Sequence, residues 1–196
     1  MSPVTHLLVG WTVAQTAQLD RRERAIVCLA GVIPDLDGAG LLAEILTRNS
    51  PHPLTWWSDY HHVLGHNLGF ALIVTALAFA FGRRRAVTTG LAALSFHLHL
   101  LCDLVGARGP DGYQWPLPYL LPFSNVWNLT WSGQWALNAW PNLMLTFVLL
   151  GLALYWAWQR GHSPVELISR RADRAVIDAL RQRFGTPRLN AGPTSS

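Results

Sequence analysis

Eight residues of the types that bind transition metals lie beside or within apolar segments of the chain. They are His6, Asp35, Asp37, His61, His62, His66, His99 and Asp103. Imidazole nitrogens and carboxylate oxygens together suit zinc, manganese or iron better than calcium. An ionisable group at membrane depth costs at least about 2.5 kcal/mol, so such groups are candidates for function. The chemistry that this set favours is a divalent metal site.

The spacing of these residues sharpens the prediction. His99 and Asp103 are four positions apart, as are His62 and His66. Residues four apart share one face of a helix, so each pair can present two ligands together. His97 lies on the other side of the same ideal helix from Asp103. We therefore expect His99 to bind the metal and His97 to be packed or hydrogen-bonded.

Simpler interpretations of the same residues stay open at this point. The segment Pro34-Asp35-Leu36-Asp37-Gly38 is also favourable turn chemistry, so Asp35 can be a turn residue. Histidines at helix ends are commonly interfacial or capping residues, and we expect this of His52 and His162. Two pairs with four-residue spacing can also arise by chance in a chain with eight histidines.

The composition predicts that membrane helices position these residues. The chain has 196 residues, of which 51% are hydrophobic and 13% charged, whereas soluble domains average about 25% charged residues. Charged residues are absent from three stretches, residues 60–81, 86–102 and 112–159. This pattern excludes a disordered protein, a basic protein that coats nucleic acid and an ordinary soluble enzyme.

The expected fold is an all-α, polytopic membrane helix bundle. Its five predicted helices have apolar cores at residues 5–17, 25–33, 68–81, 86–102 and 143–158. The first two are short, so they either cross the bilayer or lie at its surface. A bilayer-spanning helix needs about 20 apolar residues, and the other three come near that length.

The arginines predict the orientation of these helices. Clusters follow the first helix, join the third to the fourth and follow the fifth: Arg21, Arg22, Arg24, Arg83, Arg84, Arg85 and Arg160. The positive-inside tendency places these clusters in the cytoplasm and the N-terminus outside. In this multi-pass arrangement all eight candidate residues reach the outer membrane face, and the tryptophan-rich residues 107–140 lie there too.

Residues 161–196 are expected to form a cytoplasmic basic tail after a membrane-embedded domain of residues 1–160. From Arg160 onward, seven arginines and three acidic residues account for the whole formal net charge of +4. Apolar residues recur at four-residue spacing in residues 164–184, which predicts an amphipathic helix suited to an anionic membrane surface. Residues 186–196 are expected to be disordered. Membrane lipids, rather than nucleic acid, are the expected partners.

Four ordered motifs resemble those of the bacterial membrane-bound metal-dependent hydrolases, some of which are described as LexA-binding, inner-membrane-associated hydrolases. The motifs are Thr5-His6, LAGVIPDLD at residues 29–37, HHVLGHNL at residues 61–68 and HLLCD at residues 99–103. The resemblance covers about residues 1–125. The order of ligands is also distantly similar to that of zinc-dependent phospholipase C, an all-helical enzyme.

The resemblance implies a set of metal ligands: His6, Asp35, His66, His99 and Asp103. Asp37 matches the second acid of the family's Pro-Asp-x-Asp motif, and His61 matches the first histidine of its His-Arg-x-x-Thr-His-Ser motif. The chain departs from that motif at His62, Gly65 and Asn67, where the family has arginine, threonine and serine. Either His61 or His62 is therefore a possible further ligand.

Together these observations predict a metal-dependent hydrolase of the bacterial inner membrane, with zinc as the most expected ion and manganese or iron as alternatives. His66, His99 and Asp103 would hold a metal that activates water, and Asp35 would complete its coordination. Asp37 is expected to act as a general base or to orient a histidine. His6 is expected to bind a second ion or to protonate the leaving group.

The expected substrate is a phosphoester or another ester, either small or lipid-linked, at the membrane interface. The resemblance also implies a LexA-type partner. The alternative function is a non-catalytic membrane protein whose metal ion is structural or transported. A structural site saturates its metal with protein ligands, whereas a catalytic site keeps a position open.

Overall fold

The structure is a computed structural model that describes residues 1–109 and 112–187. The described residues form eight α-helices: α1 (Pro3–Ala14), α2 (Arg21–Ala30), α3 (Gly40–Thr47), α4 (Trp56–Tyr60), α5 (Leu68–Phe81), α6 (Arg85–Gly106), α7 (Trp140–Arg160) and α8 (Arg170–Phe184). Two 3-10 helices, Ile33–Ala39 and Pro164–Leu167, complete the regular structure of these ranges. The predicted all-α fold is confirmed.

The five predicted membrane helices correspond to α1, α2, α5, α6 and α7. The sequence did not indicate α3 and α4, which have only eight and five residues and lie between α2 and α5. The amphipathic helix predicted over residues 164–184 is interrupted, because Ser169 caps α8 by accepting a hydrogen bond from the Ala172 amide. The predicted disordered end lies outside the described residues from position 188 onward.

Helix α1 lies at the centre of the bundle, in contact with α2, α6 and α7, while α5 packs along α6. The fully buried Trp11 anchors α1 in an apolar cluster with residues of α2 and α7. Gly10 lets α1 and α2 cross closely, because a Cβ atom there would lie 2.9 Å from the Cys28 carbonyl oxygen. This close crossing brings the start of α1 beside the end of α2, where the candidate residues lie.

Side-chain caps determine where three helices begin. Ser2 accepts from the Thr5 amide at the start of α1. Asp20 and Glu23 form a reciprocal capping box at the start of α2. Asn67 accepts from the Phe70 amide, so α5 begins at Leu68. The histidines at positions 61–66 therefore precede α5.

The helix lengths differ from the prediction of five crossings. Two described helices, α6 and α7, are long and apolar enough to cross a membrane, and the bent pair formed by α2 and residues 33–47 is a third candidate. Helices α1 and α5 have 12 and 14 residues. At 1.5 Å per residue they span about 18–21 Å, less than the hydrocarbon core of about 30 Å. Only two or three of the five expected crossings thus have the required length.

The described part of the basic tail packs against the bundle. Arg24 on α2 makes two hydrogen bonds with the Glu166 carboxylate, of 2.6 and 2.9 Å. Arg21 donates to the Glu166 backbone carbonyl, and α8 contacts α7. Residues 161–184 are thereby joined to residues 1–160 at the end of the bundle that carries the arginines.

Candidate metal centre

Four segments converge at the other end of the bundle. The start of α1 contributes His6, the 3-10 helix after α2 contributes Asp35 and Asp37, and the second half of α6 contributes His99 and Asp103. The turn before α5 contributes His61, His62 and His66. All eight sequence-predicted residues are brought together here, through contacts between segments that are far apart in the chain.

Asp103 lies at the centre of the cluster and is almost completely buried. Its Oδ1 atom is 3.1 Å from His6 Nε2, and the Met1 nitrogen also contacts Oδ1. Its Oδ2 atom is 3.1 Å from His99 Nε2 and 3.4 Å from His66 Nε2. The two carboxylate oxygens therefore face different histidines.

The ligand atoms form two groups that can each hold a metal ion. One group is His6, Asp35, His99 and Asp103, and the other is His62, His66 and Asp103. Within each group the ligand atoms lie within 4.8 Å of one another. Because Asp103 belongs to both groups, its carboxylate can bridge two ions, as carboxylates do in two-metal hydrolytic sites.

Hydrogen bonds from their Nδ1 atoms orient the histidine rings. His66 Nδ1 donates a 3.0 Å hydrogen bond to Asp37, and His61 Nδ1 donates a 2.9 Å bond to the same carboxylate. His99 Nδ1 donates a 2.9 Å bond to the Gly31 carbonyl. Because Nδ1 of each ring is engaged in this way, Nε2 of His66 and of His99 is the nitrogen directed to Asp103, and it can bind a metal once its proton is lost. The rings have the orientation that metal ligation through Nε2 requires.

The cluster also contains buried polar atoms that nothing in the described ranges satisfies. Asp35 Oδ2, His6 Nδ1 and His62 Nδ1 have no hydrogen-bond partner among the described residues. An unsatisfied buried oxygen costs free energy, and a cation that binds it removes this cost. The donor set of imidazoles and carboxylates thus fits a divalent transition metal.

The histidines of the turn have opposite pKa shifts. Burial alone would lower the pKa of His66, but hydrogen bonds to Asp103 and Asp37 and their charges raise it to about 9. Burial lowers the pKa of His62 well below its usual value, with Asp103 opposing the shift only in part. His66 therefore holds a proton more readily than His62 does.

The turn at residues 61–67 corrects one step of the sequence argument. His62 and His66 were expected to share a helix face, but they precede α5, and His62 has a φ angle of +64°. This left-handed conformation is uncommon for a residue other than glycine. Gly65 explains the tight turn, because a Cβ atom there would overlap the carbonyl oxygen of Pro34. Glycine at position 65 is thus required by contact with the 3-10 helix.

The remaining three histidines lie outside the cluster. His97 is exposed on α6, where it hydrogen-bonds the Ala93 carbonyl and lies 2.9 Å from the Tyr119 hydroxyl. His162 contacts Gln15 and Trp11 at the arginine end of the bundle. His52 is exposed in the loop between α3 and α4.

A cavity of about 650 Å³ opens beside the cluster. Asp35, His61, His62 and Asp103 line its polar part. Trp57 and Trp115 also line it, and the Trp57 ring stacks on His61 with 3.8 Å between centroids. The sequence analysis did not identify Trp57. Its position four residues before His61 could have indicated it, because that spacing brings two side chains together on a helix. His61 faces the cavity but belongs to neither ligand group, whereas His62 belongs to one.

Comparison with known proteins identifies the family. Residues 1–167, most of the chain, match the YdjM inner membrane protein family. The protein belongs to the YdjM family. This membership and the apolar helices support a location in the bacterial inner membrane. The family match covers every residue of the candidate metal centre.

One curated protein has low sequence identity to the chain. The chain is 26% identical to disulfide bond formation protein B 1 of Pseudomonas putida (strain KT2440), in an alignment that covers 72% of this chain and 95% of the relative. No solved structure matches the chain. The resemblance to zinc-dependent phospholipase C is not supported by these comparisons.

Proposed function

We propose that this YdjM-family protein is a metal-dependent hydrolase that acts on a phosphoester or another ester at the membrane surface. The observation that carries the proposal is the position of Asp103, which belongs to both ligand groups. These imidazole and carboxylate ligands suit zinc, with manganese or iron as alternatives. A divalent ion held there would polarise the ester and activate water.

Each residue of the centre has a separate role in this proposal. His6, Asp35, His99 and Asp103 would hold one ion, and His62, His66 and Asp103 would hold the other. Asp35, His62 and Asp103 also line the wall of the cavity. Asp37 orients His66, because its two oxygens are already engaged by His61, His66 and the Gly65 amide. That arrangement favours the orienting role over the general-base role. His6 is fully buried with Nε2 directed to Asp103, which favours a ligand role over proton donation.

The reaction needs only water as a second substrate. The water oxygen forms a bond to the phosphorus or carbonyl carbon, and the bond from that atom to the ester oxygen breaks. The leaving oxygen takes up a proton that comes from the water. The cavity beside Asp35 and Asp103 gives the ester access to the centre, as an open catalytic site requires.

The alternative functions have less support. A structural metal would be closed off by protein ligands, whereas Asp35, His62 and Asp103 line an open cavity. A transported ion needs ligands along its path, but both ligand groups found among the described residues contain Asp103. Thiol chemistry like that in the relative's name is not proposed, because Cys28 and Cys102 are both free and Cys28 is buried.

The test compares the detergent-purified full chain with His99→Ala and with His97→Ala. His97 is a matched control, since it lies two positions away on α6 and points elsewhere. We expect bound metal and hydrolysis of bis(p-nitrophenyl) phosphate in the wild type and in His97→Ala, and loss of both in His99→Ala. Metal bound equally in His99→Ala would remove His99 from the centre. Bound metal without hydrolysis across phosphoesters and carboxylic esters would favour a structural ion.

We also propose the multi-pass topology with a cytoplasmic C-terminus, on the basis of the arginine clusters. A reporter fused after Ser196 is expected to show a cytoplasmic location, and a periplasmic signal would reverse the orientation. The LexA-type partner is tested separately, by co-purification of LexA with the wild-type chain from membranes.

A further inference from the structure

The cavity at the metal centre is polar at one end and apolar over the rest of its wall. Its apolar lining includes Pro3, Leu41, Trp57, Trp115 and Leu137. Its polar side chains are those of Ser2, Asp35, His61, His62 and Asp103. A ligand that fits about 650 Å³ of this character has a polar head and an apolar remainder.

Leu41 connects this cavity to the outer surface of α3. Helix α3 has no buried residue and packs mainly against α4 and the preceding 3-10 helix. Its apolar side chains Leu42 and Leu46 are 62% and 75% exposed. An exposed apolar patch of this kind marks an interaction or membrane surface.

Lipid is the occupant that the observations favour for this surface. The bent pair formed by α2 and residues 33–47 passes the length and hydropathy criteria for a broken or re-entrant membrane segment. The chain belongs to an inner membrane family. When α3 faces the membrane, lipid acyl chains cover its leucines. Leu41 is then the residue at which those acyl chains reach the cavity.

Two contacts fix α3 against α4 and so fix the position of Leu41. A Cβ atom on Gly40 would lie 2.7 Å from the backbone of Trp56, so the two helices touch closely there. Glu44 Oε1 accepts a 2.7 Å hydrogen bond from the Ser58 amide. The helix pair therefore holds Leu41 at the cavity while Leu42 stays outside it.

We propose that the substrate is a membrane lipid whose ester lies at the metal centre and whose acyl chain passes Leu41 along α3 into the bilayer. This inference rests on the proposed hydrolase function and names its substrate class. The length of the acyl chain then contributes to recognition. Each methylene that is fully buried raises the affinity by up to about fourfold.

The first test measures lipid position without turnover. The full chain is placed in nanodiscs of phosphatidylglycerol and phosphatidylethanolamine with a phosphatidic acid that carries a diazirine in its acyl chain. After irradiation, we expect labelling of Trp57, which lines the cavity. In Leu41→Gln this labelling should fall about tenfold, the change expected when burial against a leucine is lost. Ile168→Gln, at a residue that is 89% exposed at the arginine end of the bundle, should keep it.

The second test measures turnover of p-nitrophenyl ethyl, butyl and octyl phosphates by the same three proteins. The ratio of kcat/KM for octyl and ethyl esters should be high in the wild type and in Ile168→Gln, and low in Leu41→Gln. Hydrolysis of all three esters without a chain-length effect would overturn the lipid inference and leave the hydrolase in place.

The two proposals fail separately. Labelling of Trp57 that depends on Leu41, without hydrolysis of any ester, would support a lipid cavity and remove the hydrolase. Absence of Trp57 labelling in the wild type, or equal labelling in Leu41→Gln, would overturn the lipid inference whatever the turnover.

Discussion

His66 donates a 3.0 Å hydrogen bond from Nδ1 to Asp37, and its other ring nitrogen lies 3.4 Å from Asp103. The ring is thus held between an orienting carboxylate and a ligand carboxylate. Carboxylate–histidine pairs of this kind increase the basicity of a metal ligand and fix its tautomer.

Replacement of Asp37 should weaken metal binding without removing a ligand. We expect Asp37→Asn to lower zinc affinity by about 10- to 100-fold, the usual effect of losing such an orienting carboxylate. Competition with a chromophoric chelator measures the affinity. Asp59→Asn, at an exposed position on α4, is the control. Equal affinities in the two variants would show that the Asp37 contact does not support the centre.

The choice between His61 and His62 can be decided by metal stoichiometry. Asn tolerates a positive φ, so His62→Asn keeps the backbone at +64° while it removes a ligand of the second group. We expect His62→Asn to bind less metal per chain, while His61→Asn keeps the wild-type amount, as read by elemental analysis. The reverse result would assign His61 as the ligand.

A methyl group at Gly65 should disturb the turn that carries His62 and His66. The added Cβ in Gly65→Ala lies against the backbone of Pro34, where overpacking costs about 1–3 kcal/mol. We expect a lower thermal unfolding midpoint and weaker metal binding. Gly90→Ala is the control, because a Cβ at that position on α6 meets nothing within 4 Å. If both variants have the same unfolding midpoint, the turn does not contact Pro34 as closely as the structure shows.

The ion pair between Arg24 and Glu166 should hold the tail on the bundle. Both side chains are largely buried, and removal of one partner from a buried pair costs about 3–5 kcal/mol. Glu166→Gln is expected to make the tail more sensitive to limited proteolysis and to lower the unfolding midpoint. Asp178→Asn, which changes an exposed acid on α8, should do neither. An unchanged cleavage rate in Glu166→Gln would mean that other contacts hold the tail.

The sequence by itself determined the features that depend on local spacing. Apolar runs within the charge-free stretches predict α5, α6 and α7, because apolar runs near this length are stable as helices in a membrane. His99 and Asp103 share a face of α6 because helix geometry alone relates positions four apart. Their contact needed no knowledge of the rest of the fold.

Only the tertiary structure decided how the other residues meet. The turn at residues 61–67 depends on the contact of Gly65 with Pro34, so the positions of His61 and His62 could not follow from helical spacing. The role of Asp37 depends on two histidines more than twenty positions away, whose hydrogen bonds engage both of its oxygens. The position of Asp103 between two groups of candidate ligands likewise arises from the packing of α1 and the turn against α6, which is a long-range contact.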